Sequence, residues 1–434
     1  MTDIREFCER LWKGEVDTVT EAHPVTTPIA NREAQEIADG MLYYKGFAGS
    51  TTLDTGDGLV MLDTGARNDS EPLYDAVRRW RPDARLAAAV FSHHHVDHIM
   101  GVDRFDQEAT DAKHPRPLVY GHELLGGHFD RYKKTTGWNG AINRRQFNVA
   151  GLDVERRVPW PEEYRYPDVT YREELTFSQG SYSFELHHAR GETEDATWTW
   201  VPELKLLAPG DLFVWCCPNA GNPQKVQRWV GDWAAALRRM AALDAEQMIP
   251  GHGWPIFGAD RVRVSLLDTA ELLESMESQV LALMNAGASL DTVLHEVDIP
   301  AVTLEKPYLR PVYDHPQFVL RNIWRWYGGW YDGEPDQLLP APRAEQAREW
   351  VAMAGGLEAV LDRARTLAKD GNVRLACHVV EFAVLAEPGS QAAHGARAEI
   401  YDARAGQQTS SMARGIFSYA AASSRAGKRD GFGG

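Results

Sequence analysis

Residues 93–98 of this chain read His-His-His-Val-Asp-His, and this run constrains the fold more than any other feature of the sequence. It follows an apolar segment, residues 86–91, whose length and composition predict a buried β-strand. Because side chains alternate between the two faces of an extended backbone, the first and third histidines share a face and the second points away. The aspartate and the fourth histidine follow where we expect the chain to turn into a helix. Three imidazoles and a carboxylate therefore converge at the end of one strand.

Such a cluster has the chemistry of a metal site. Imidazole nitrogen and carboxylate oxygen bind Zn²⁺, and less selectively Fe or Mn, at about 2.0–2.2 Å. A surface histidine cluster is the alternative interpretation, but a tag-like cluster lacks both a preceding strand and an aspartate within the run. We therefore expect the metal ligands in this run to be His93, His95, Asp97 and His98.

The hydrophobic pattern divides the chain of 434 residues into two parts. Up to residue 258, short β-rich runs alternate with amphipathic helical segments, which predicts a layered α/β domain over residues 1–258. From residue 259 onward, long segments rich in Leu, Ala and Glu repeat with a period of about 3.6, which predicts an all-helical domain over residues 259–425. Residues 426–434 are rich in glycine, and we expect them to form a flexible tail.

Charge and composition exclude several classes of partner. A formal net charge of -16 argues against a nucleic-acid partner, which would require a basic stripe. No uncharged stretch approaches the roughly 18 apolar residues of a membrane span, and the first residues lack the apolar segment of a signal peptide. The four cysteines form no C-x-x-C pair and no framework spacing, which is typical of a reducing compartment. We therefore expect a cytoplasmic protein.

The pattern His-x-His-x-Asp-His resembles the signature of the metallo-β-lactamase superfamily, and further motifs of that family follow in the expected order. The stretch 62–65, Leu-Asp-Thr-Gly, resembles its first motif, in which the aspartate supports the metal loop from behind the ligands. The stretch 248–253, Met-Ile-Pro-Gly-His-Gly, resembles its last, whose histidine completes the second metal site. The resemblance implies an αββα sandwich for residues 1–258, with Asp63 as the supporting aspartate and His252 as a ligand.

One ligand of the first metal site departs from most of the superfamily. Its members usually supply a third histidine from a Gly-His-Thr turn after a strand, whereas this chain reads Arg-Gly-Glu-Thr there, with Glu192 at the ligand position. A glutamate in that turn and an acidic residue nineteen positions later are features of alkyl sulfatases. Asp211 stands nineteen positions after Glu192, so the sequence resembles the alkyl sulfatase branch.

This resemblance implies a binuclear centre, with two Zn²⁺ ions as the expected cofactors and Fe or Mn as alternatives. Two adjacent divalent ions lower the pKa of water from 15.7 to about 7, so a hydroxide nucleophile exists at neutral pH. We expect Asp97 and Asp211 to be the catalytic carboxylates. The seven implied ligands are His93, His95 and Glu192 for one ion, Asp97, His98 and His252 for the other, and Asp211 as the bridge between them.

The helical half carries an independent match. The stretch 323–335 reads Ile-Trp-Arg-Trp-Tyr-Gly-Gly-Trp-Tyr-Asp-Gly-Glu-Pro and, together with 304–313, resembles the dimerisation domain of alkyl sulfatases. The resemblance implies that residues 259–425 form that all-helical domain and that the protein is a homodimer. Taken by themselves, the aromatic residues at the end of this helix fit either a partner surface or an intrachain core.

Alkyl sulfatases bind sulfate through an asparagine before an Arg-Arg pair and through an arginine after the bridging carboxylate. The second element is broken in this chain, because Asn-Pro-Gln-Lys stands where the arginine is expected after Asp211. Lys225, the last residue of that stretch, offers a point charge but not the bidentate fork of an arginine. The candidates for the first element are Asn139, Asn143, Arg144 and Arg145.

The sequence predicts a metal-dependent hydrolase of a small anionic ester, first of all an alkyl or other organic sulfate. The broken arginine position keeps open a second activity, the hydrolysis of a lactone, a carboxylic ester or a phosphoester. A non-catalytic scaffold is a third interpretation, but scaffolds of this superfamily generally lose metal ligands, and all seven candidates are present. His122 and His128 are further candidates to protonate a leaving group, although a structural role is the favoured interpretation of both.

Overall fold

The structure, a computed structural model, describes residues 3–25, 32–148 and 159–430. The chain forms two compact units. The first unit comprises Met1–Lys134 and Pro161–Trp330, and the second comprises Thr135–Trp160 and Tyr331–Gly434. All the strands given below belong to the first unit.

A seven-stranded sheet forms one half of the first unit. Strands β1 to β4 pair antiparallel, and strands β4 to β7 pair parallel. The carboxyl ends of β4 and β5 therefore lie side by side at one edge of the sheet. The strands lie in chain order as β1 (Glu33–Ala38), β2 (Met41–Lys45), β3 (Gly49–Asp54), β4 (Leu59–Leu62), β5 (Leu86–Val90), β6 (Leu118–His122) and β7 (Val169–Tyr171).

A six-stranded sheet forms the other half, in the order β13-β12-β11-β10-β9-β8. Its pairs are antiparallel except for β11 with β12, which run parallel and so end at the same edge. The strands are β8 (Glu174–Gln179), β9 (Tyr182–Ala189), β10 (Ala196–Val201), β11 (Leu206–Val214), β12 (Gln247–His252) and β13 (Ile256–Phe257).

Strand β2 shows how the layers of the first unit form, because all five of its residues are buried. Met41 and Tyr43 join the core cluster that contains side chains of the second sheet, whereas Leu42 and Tyr44 join a cluster with side chains of three helices. A strand that is buried on both faces lies between a sheet and a helical layer. The helices of this unit are Ile4–Trp12, Ser70–Trp80, Val102–Ala112, Leu125–Lys134, Val230–Ala241, Ala259–Asn285, Leu290–Glu296, Ala301–Leu304 and Pro316–Gly328.

The second unit is helical in its described residues. An apolar core that includes Leu361, Val380 and Ile400 holds it together. Helix Thr136–Gln146, which precedes most of the second sheet in the sequence, packs in this unit against Ser411–Arg425 at a close backbone approach that only a glycine, Gly415, permits. Its helices are Thr136–Gln146, Pro335–Leu338, Arg343–Met353, Leu357–Lys369, Val373–Ala386, Gln391–Gly406 and Ser411–Arg425.

The predicted fold class, an α/β sandwich followed by a helical region, is confirmed. The domain limits at residues 258 and 425 stay predictions; the compact units divide the chain elsewhere, since helix Ala259–Asn285 lies in the unit of the sheets. The predicted tail, residues 426–434, lies partly outside the described residues. No helix in the described part of the chain is long and apolar enough to cross a bilayer.

Candidate metal centre

The seven predicted ligands come together in the first unit because its strands end there. Strand β5 ends at Val90 and leads into the histidine-rich run, and His252 is the last residue of β12. Asp211 lies within β11, and Glu192 lies in the turn between β9 and β10. Side chains from four separate places in the sequence thus meet at one edge of the sandwich.

One set of donor atoms consists of Asp97, His98 and His252, which lie close enough to share a cation. Nε2 of His98 lies 3.7 Å from Oδ2 of Asp97, and Nε2 of His252 lies 3.2 Å from that same oxygen. Asp211 adjoins the set, with Oδ1 3.5 Å from Nε2 of His98 and Oδ2 3.4 Å from Nε2 of His252.

The other set consists of His93, His95 and Asp211, and Glu192 adjoins it. Nε2 of His93 lies 3.8 Å from Oδ2 of Asp211, and Nδ1 of His95 lies 3.7 Å from Oε1 of Glu192. The two imidazoles approach each other to 2.8 Å between Nε2 and Nδ1. Burial lowers the pKa of His93 to about 4 and holds that of His95 well below its usual range, so both are neutral, which is the form that binds a metal.

Hydrogen bonds behind the ligands fix which imidazole nitrogen faces the centre. The carboxylate of Asp63 accepts from the backbone N–H of Ser92 at 2.7 Å, from its hydroxyl at 2.8 Å, and lies 2.8 Å from Nδ1 of His98. Nδ1 of His252 lies 2.9 Å from the carbonyl oxygen of Phe47. In the neutral form of each ring the proton stays on Nδ1, facing its oxygen, so Nε2 has a lone pair that can bind a metal.

Glu192 is held from behind by a cation. Its Oε1 accepts from the amide of Asn219 and lies 3.4 Å from the guanidinium of Arg228, a side chain that is only 1% exposed. The Nε of Arg228 also donates to the carbonyl oxygen of Asn219 at 3.2 Å. These contacts involve Oε1 of Glu192, whereas Oε2 is buried without a hydrogen-bond partner.

The two neighbouring carboxylates of the centre have opposite pKa shifts. Burial raises the pKa of Glu192 well above its usual value, and the adjacent charge of Asp211 raises it further. Burial also opposes the charge on Asp211, yet the charges of His252 and His98 hold its pKa well below the usual range. A divalent cation would stabilise both carboxylates in their charged form and displace the proton of Glu192.

The donor set fits metal ions. Within the described residues, Nε2 of His98, Oε2 of Glu192 and Oδ1 of Asp211 are buried without a hydrogen-bond partner, which costs free energy unless a cation binds them. Ligands held at about 2.05 Å around a tetrahedral ion lie roughly 3.3 Å apart, and most of the distances above fall near that spacing. Nitrogen and oxygen donors without thiolate suit zinc, iron or manganese.

The predicted substrate-binding residues divide between the two units. Lys225 lies in the first, within electrostatic range of Asp97 and Glu192, and burial together with the charge of Arg228 lowers its pKa to about 8. The other four lie in the second unit on helix Thr136–Gln146, and their contact with substrate stays a prediction. There the amide of Asn139 donates to the hydroxyl of Thr135, Arg145 pairs with Asp430 at 2.7 Å, and the remaining two are Asn143 and Arg144.

His122 and His128, the candidates to protonate a leaving group, both contact neighbouring residues. Nε2 of His122 lies 2.8 Å from the carbonyl oxygen of Arg172, and the ring of His122 stacks on that of His188 at 3.9 Å. His128 stacks on His94 with ring centroids 4.1 Å apart. These contacts account for both histidines as parts of the surrounding packing.

Three residues near the centre, Asp195, Arg131 and Arg228, escaped the sequence analysis. His94, which the strand alternation predicts to point away from the ligands, pairs with the buried Asp195, and Arg131 donates to the same ring. Arg228 lies seventeen positions after Asp211, too far along to be read as the arginine expected there. Asp195 could have been noticed because it ends the acidic run 192–195, Glu-Thr-Glu-Asp. No sequence feature marks Arg131 or Arg228.

Family comparisons cover most of the chain. The metallo-beta-lactamase superfamily model matches residues 45–252, and the alkyl sulfatase dimerisation model matches residues 289–427. The first match contains all seven candidate ligands.

Several characterised proteins are similar to this chain. A linear primary-alkylsulfatase from a Pseudomonas species is 26% identical over 366 residues, which cover 80% of this chain and 69% of the relative. An (R)-specific secondary-alkylsulfatase from Pseudomonas is 25% identical, covering 85% of this chain but 59% of its own length. The solved structure of the stereoselective inverting sec-alkylsulfatase Pisa1 from Pseudomonas superimposes with a TM-score of 0.81 at 24% identity, covering 91% of this chain and 66% of that one. The chain thus spans about six to seven tenths of their lengths, and the superposition shows a shared fold.

Proposed function

We propose, on the premise that this chain belongs to the metallo-β-lactamase superfamily and contains an alkyl sulfatase dimerisation region, that it hydrolyses organic sulfate esters with the help of two divalent metal ions. The relatives named as alkylsulfatases support the choice of substrate. Zn²⁺ is the proposed metal, with Fe or Mn as alternatives that the same donors accept.

The observation that carries the proposal is the position of Asp211 between two sets of donors. Its oxygens lie 3.8 Å from the ring nitrogen of His93 on one side and 3.5 Å from that of His98 on the other. A carboxylate between two ligand sets is the bridge that a binuclear hydrolase requires. His93, His95 and Glu192 would hold one ion, and Asp97, His98 and His252 would hold the other.

The chain's own residues supply orientation and charge. Two divalent ions, when bound, provide a hydroxide nucleophile near neutral pH and polarise the ester. Asp63 and the Phe47 carbonyl orient the rings of His98 and His252 toward the centre. Burial opposes the ionisation of Asp97, yet without metal the charges of the same two histidines hold its pKa at about 2, so it is an anionic ligand before any ion binds. We also propose that this carboxylate accepts a hydrogen bond from the attacking water.

The charge of the site favours an anionic ester. The four charges of two divalent ions exceed those of the three ligand carboxylates by about one, and Lys225 and Arg228 add positive charge beside them. A cleft with excess positive charge attracts and orients an oxyanion. Lys225 is the proposed contact to the sulfate group, whereas contacts from Asn139, Asn143, Arg144 and Arg145 stay predictions from the sequence.

We further propose a homodimer in the cytoplasm. The dimerisation match covers residues 289–427, and Trp330 in its Gly-Trp-Tyr-Asp-Gly stretch exposes 70% of its surface, as an aromatic side chain at a subunit contact would. All four cysteines are buried free thiols, as in a reducing compartment. Light scattering of the purified chain tests the first statement, since a monomer at micromolar concentration would contradict it.

A sulfate-release assay tests the function. Linear and secondary alkyl sulfates, a lactone, a carboxylic ester and a phosphoester are offered to zinc-loaded protein and to protein stripped with a chelator. We expect inorganic sulfate to appear with the loaded protein alone and to return on adding zinc. The missing arginine after Asp211 favours the second candidate, a lactone, carboxylic ester or phosphoester hydrolase, so turnover of one of these without any sulfate release would replace the sulfatase proposal.

A further inference from the structure

We propose that Arg131 binds the anionic group of the substrate and that His94 and Asp195 are positioning residues that hold its guanidinium at the metal centre. This inference rests on the proposed function and adds a specificity residue to it. The ligand class is a tetrahedral oxyanion such as the sulfate group of an ester.

Three side chains form a chain of hydrogen bonds. The carboxylate of Asp195 is fully buried and receives the backbone N–H of His94 at 3.0 Å, while its other oxygen lies 2.8 Å from Nδ1 of that ring. The guanidinium of Arg131 lies 3.1 Å from Nε2 on the far side of the ring. Because a guanidinium can only donate, Nε2 must be the acceptor and the ring proton must sit on Nδ1, facing Asp195. The direction of every bond is therefore determined.

This chain of bonds lies beside the candidate ligands. His94 stands between two of them in the sequence, and its ring centroid is 4.9 Å from that of His95. Tyr132, the residue after Arg131, packs 5.2 Å from His94 and lies within electrostatic range of Asp97. The histidine that points away from the metals thus connects the metal loop to helix Leu125–Lys134.

Arg131 also belongs to a group of cations. Lys225 lies within electrostatic range of Arg131 and Arg228, as well as of the ligands Asp97 and Glu192. Lys225 stands where an arginine is expected, and it offers a point charge rather than a planar fork. Arg131 provides the fork that Lys225 lacks, from helix Leu125–Lys134, and the two together can bind an oxyanion in a defined orientation.

The buried pair of His94 and Asp195 gives Arg131 a fixed orientation. A guanidinium on a partly exposed helix loses side-chain entropy when it is fixed, and that loss lowers the affinity for a ligand. Asp195 and His94 fix the orientation before the anion arrives, and this is the preorganisation that a specific oxyanion contact needs. Asp195 therefore acts on the substrate only through Arg131.

Calorimetric titration of zinc-loaded protein with inorganic sulfate tests the inference without turnover. Arg131→Gln should weaken sulfate binding by about tenfold or more, and Arg131→Lys by less, because a charge remains. Arg172→Gln removes an exposed arginine of the same unit that pairs with Glu123, and should leave the affinity unchanged. Zinc content measured on each variant should equal that of the wild type.

A double-mutant cycle separates positioning from folding. Asp195→Asn should weaken sulfate binding severalfold and raise KM for a sulfate ester more than it lowers kcat. In the Arg131→Gln background the same change should have almost no further effect, because Asp195 acts through that arginine. Additive effects of the two substitutions, or full sulfate affinity in Arg131→Gln, would overturn the inference. Should Asp195→Asn fail to fold, the Arg131 variants alone decide the matter.

The outcomes also separate this inference from the proposed function. If the wild type binds sulfate through Arg131 but hydrolyses no sulfate ester, the proposed function fails and the anion site stands. If it hydrolyses sulfate esters while Arg131→Gln binds and turns over like the wild type, the inference alone fails. A wild type that binds no sulfate also refutes the inference.

Discussion

The substitution Asp63→Asn tests how far the centre depends on a residue that does not itself face the metals. Asp63 adopts a left-handed backbone conformation with φ of 53°, which asparagine also tolerates, so the substitution preserves the loop. The carboxylate receives three hydrogen bonds, two from Ser92 and one from Nδ1 of His98. An amide offers one acceptor oxygen in place of two, and at least one of these donors then faces an N–H group.

The magnitude follows from that mismatch. A buried donor without its acceptor costs about 1–3 kcal/mol. His98 can avoid this cost by moving its ring proton from Nδ1 to Nε2. Nε2, however, is the nitrogen that would bind the metal, and a protonated nitrogen cannot do so. We therefore expect a 10- to 100-fold loss of metal affinity, about 1.4–2.7 kcal/mol, at the site that His98 serves.

Competition with a chromophoric chelator measures zinc affinity and stoichiometry for the wild type and the variant. The expected result is one site that keeps its affinity and one that is weakened. Asp106→Asn is the matched control, since Asp106 is buried to a similar degree but pairs with Arg116 and Arg165. Two sites of undiminished affinity in Asp63→Asn would refute the reasoning.

Three further predictions concern other parts of the first unit. Gly251→Ala would place a methyl group onto the Asp211 carboxylate, and we expect metal analysis to find fewer than two ions per chain. Two ions per chain in this variant would contradict the close contact between Gly251 and Asp211. Arg228→Met removes the buried cation behind Glu192, a carboxylate that is charged when metal is bound, and should weaken zinc binding by about 10- to 100-fold in the chelator competition; unchanged zinc affinity would speak against this contact. Burial raises the pKa of Asp314 to about 6, so the folded state binds its proton more tightly than the unfolded state. That stabilisation is present at low pH and is lost as the pH rises through about 6, which lowers the free energy of unfolding by about 3 kcal/mol. Urea unfolding at a series of pH values should show a smaller pH dependence for Asp314→Asn; an unchanged pH dependence would exclude Asp314 as its source.

The site could be predicted where its information is local. The run at residues 93–98 follows a strand, and the alternation of side chains separates the second histidine from its neighbours, as the pairing of His94 with Asp195 shows. Glu192, Asp211 and His252 lie far from this run in the sequence, and only family motifs could associate them with it. Spacing in the chain carries no information on which distant side chains meet.

The contacts that escaped prediction are long-range ones. Arg228 reaches Glu192 across thirty-six residues, and Arg131 reaches His94 across thirty-seven. No periodicity marks either arginine, because each is fixed by tertiary packing and not by the pattern of its own helix or loop. The same distinction applies to the fold. Strands and helices could be predicted from local patterns, but the grouping of helix Thr136–Gln146 with the later helices could not, because it depends on a long-range contact with Ser411–Arg425.

Anomalous diffraction at the zinc absorption edge, from crystals of zinc-loaded protein, tests the binuclear centre most directly. We expect two peaks per chain, one between His93, His95 and Glu192 and one between the second set of donors, with the Asp211 carboxylate contacting both. A single ion, or peaks away from these side chains, would contradict the account.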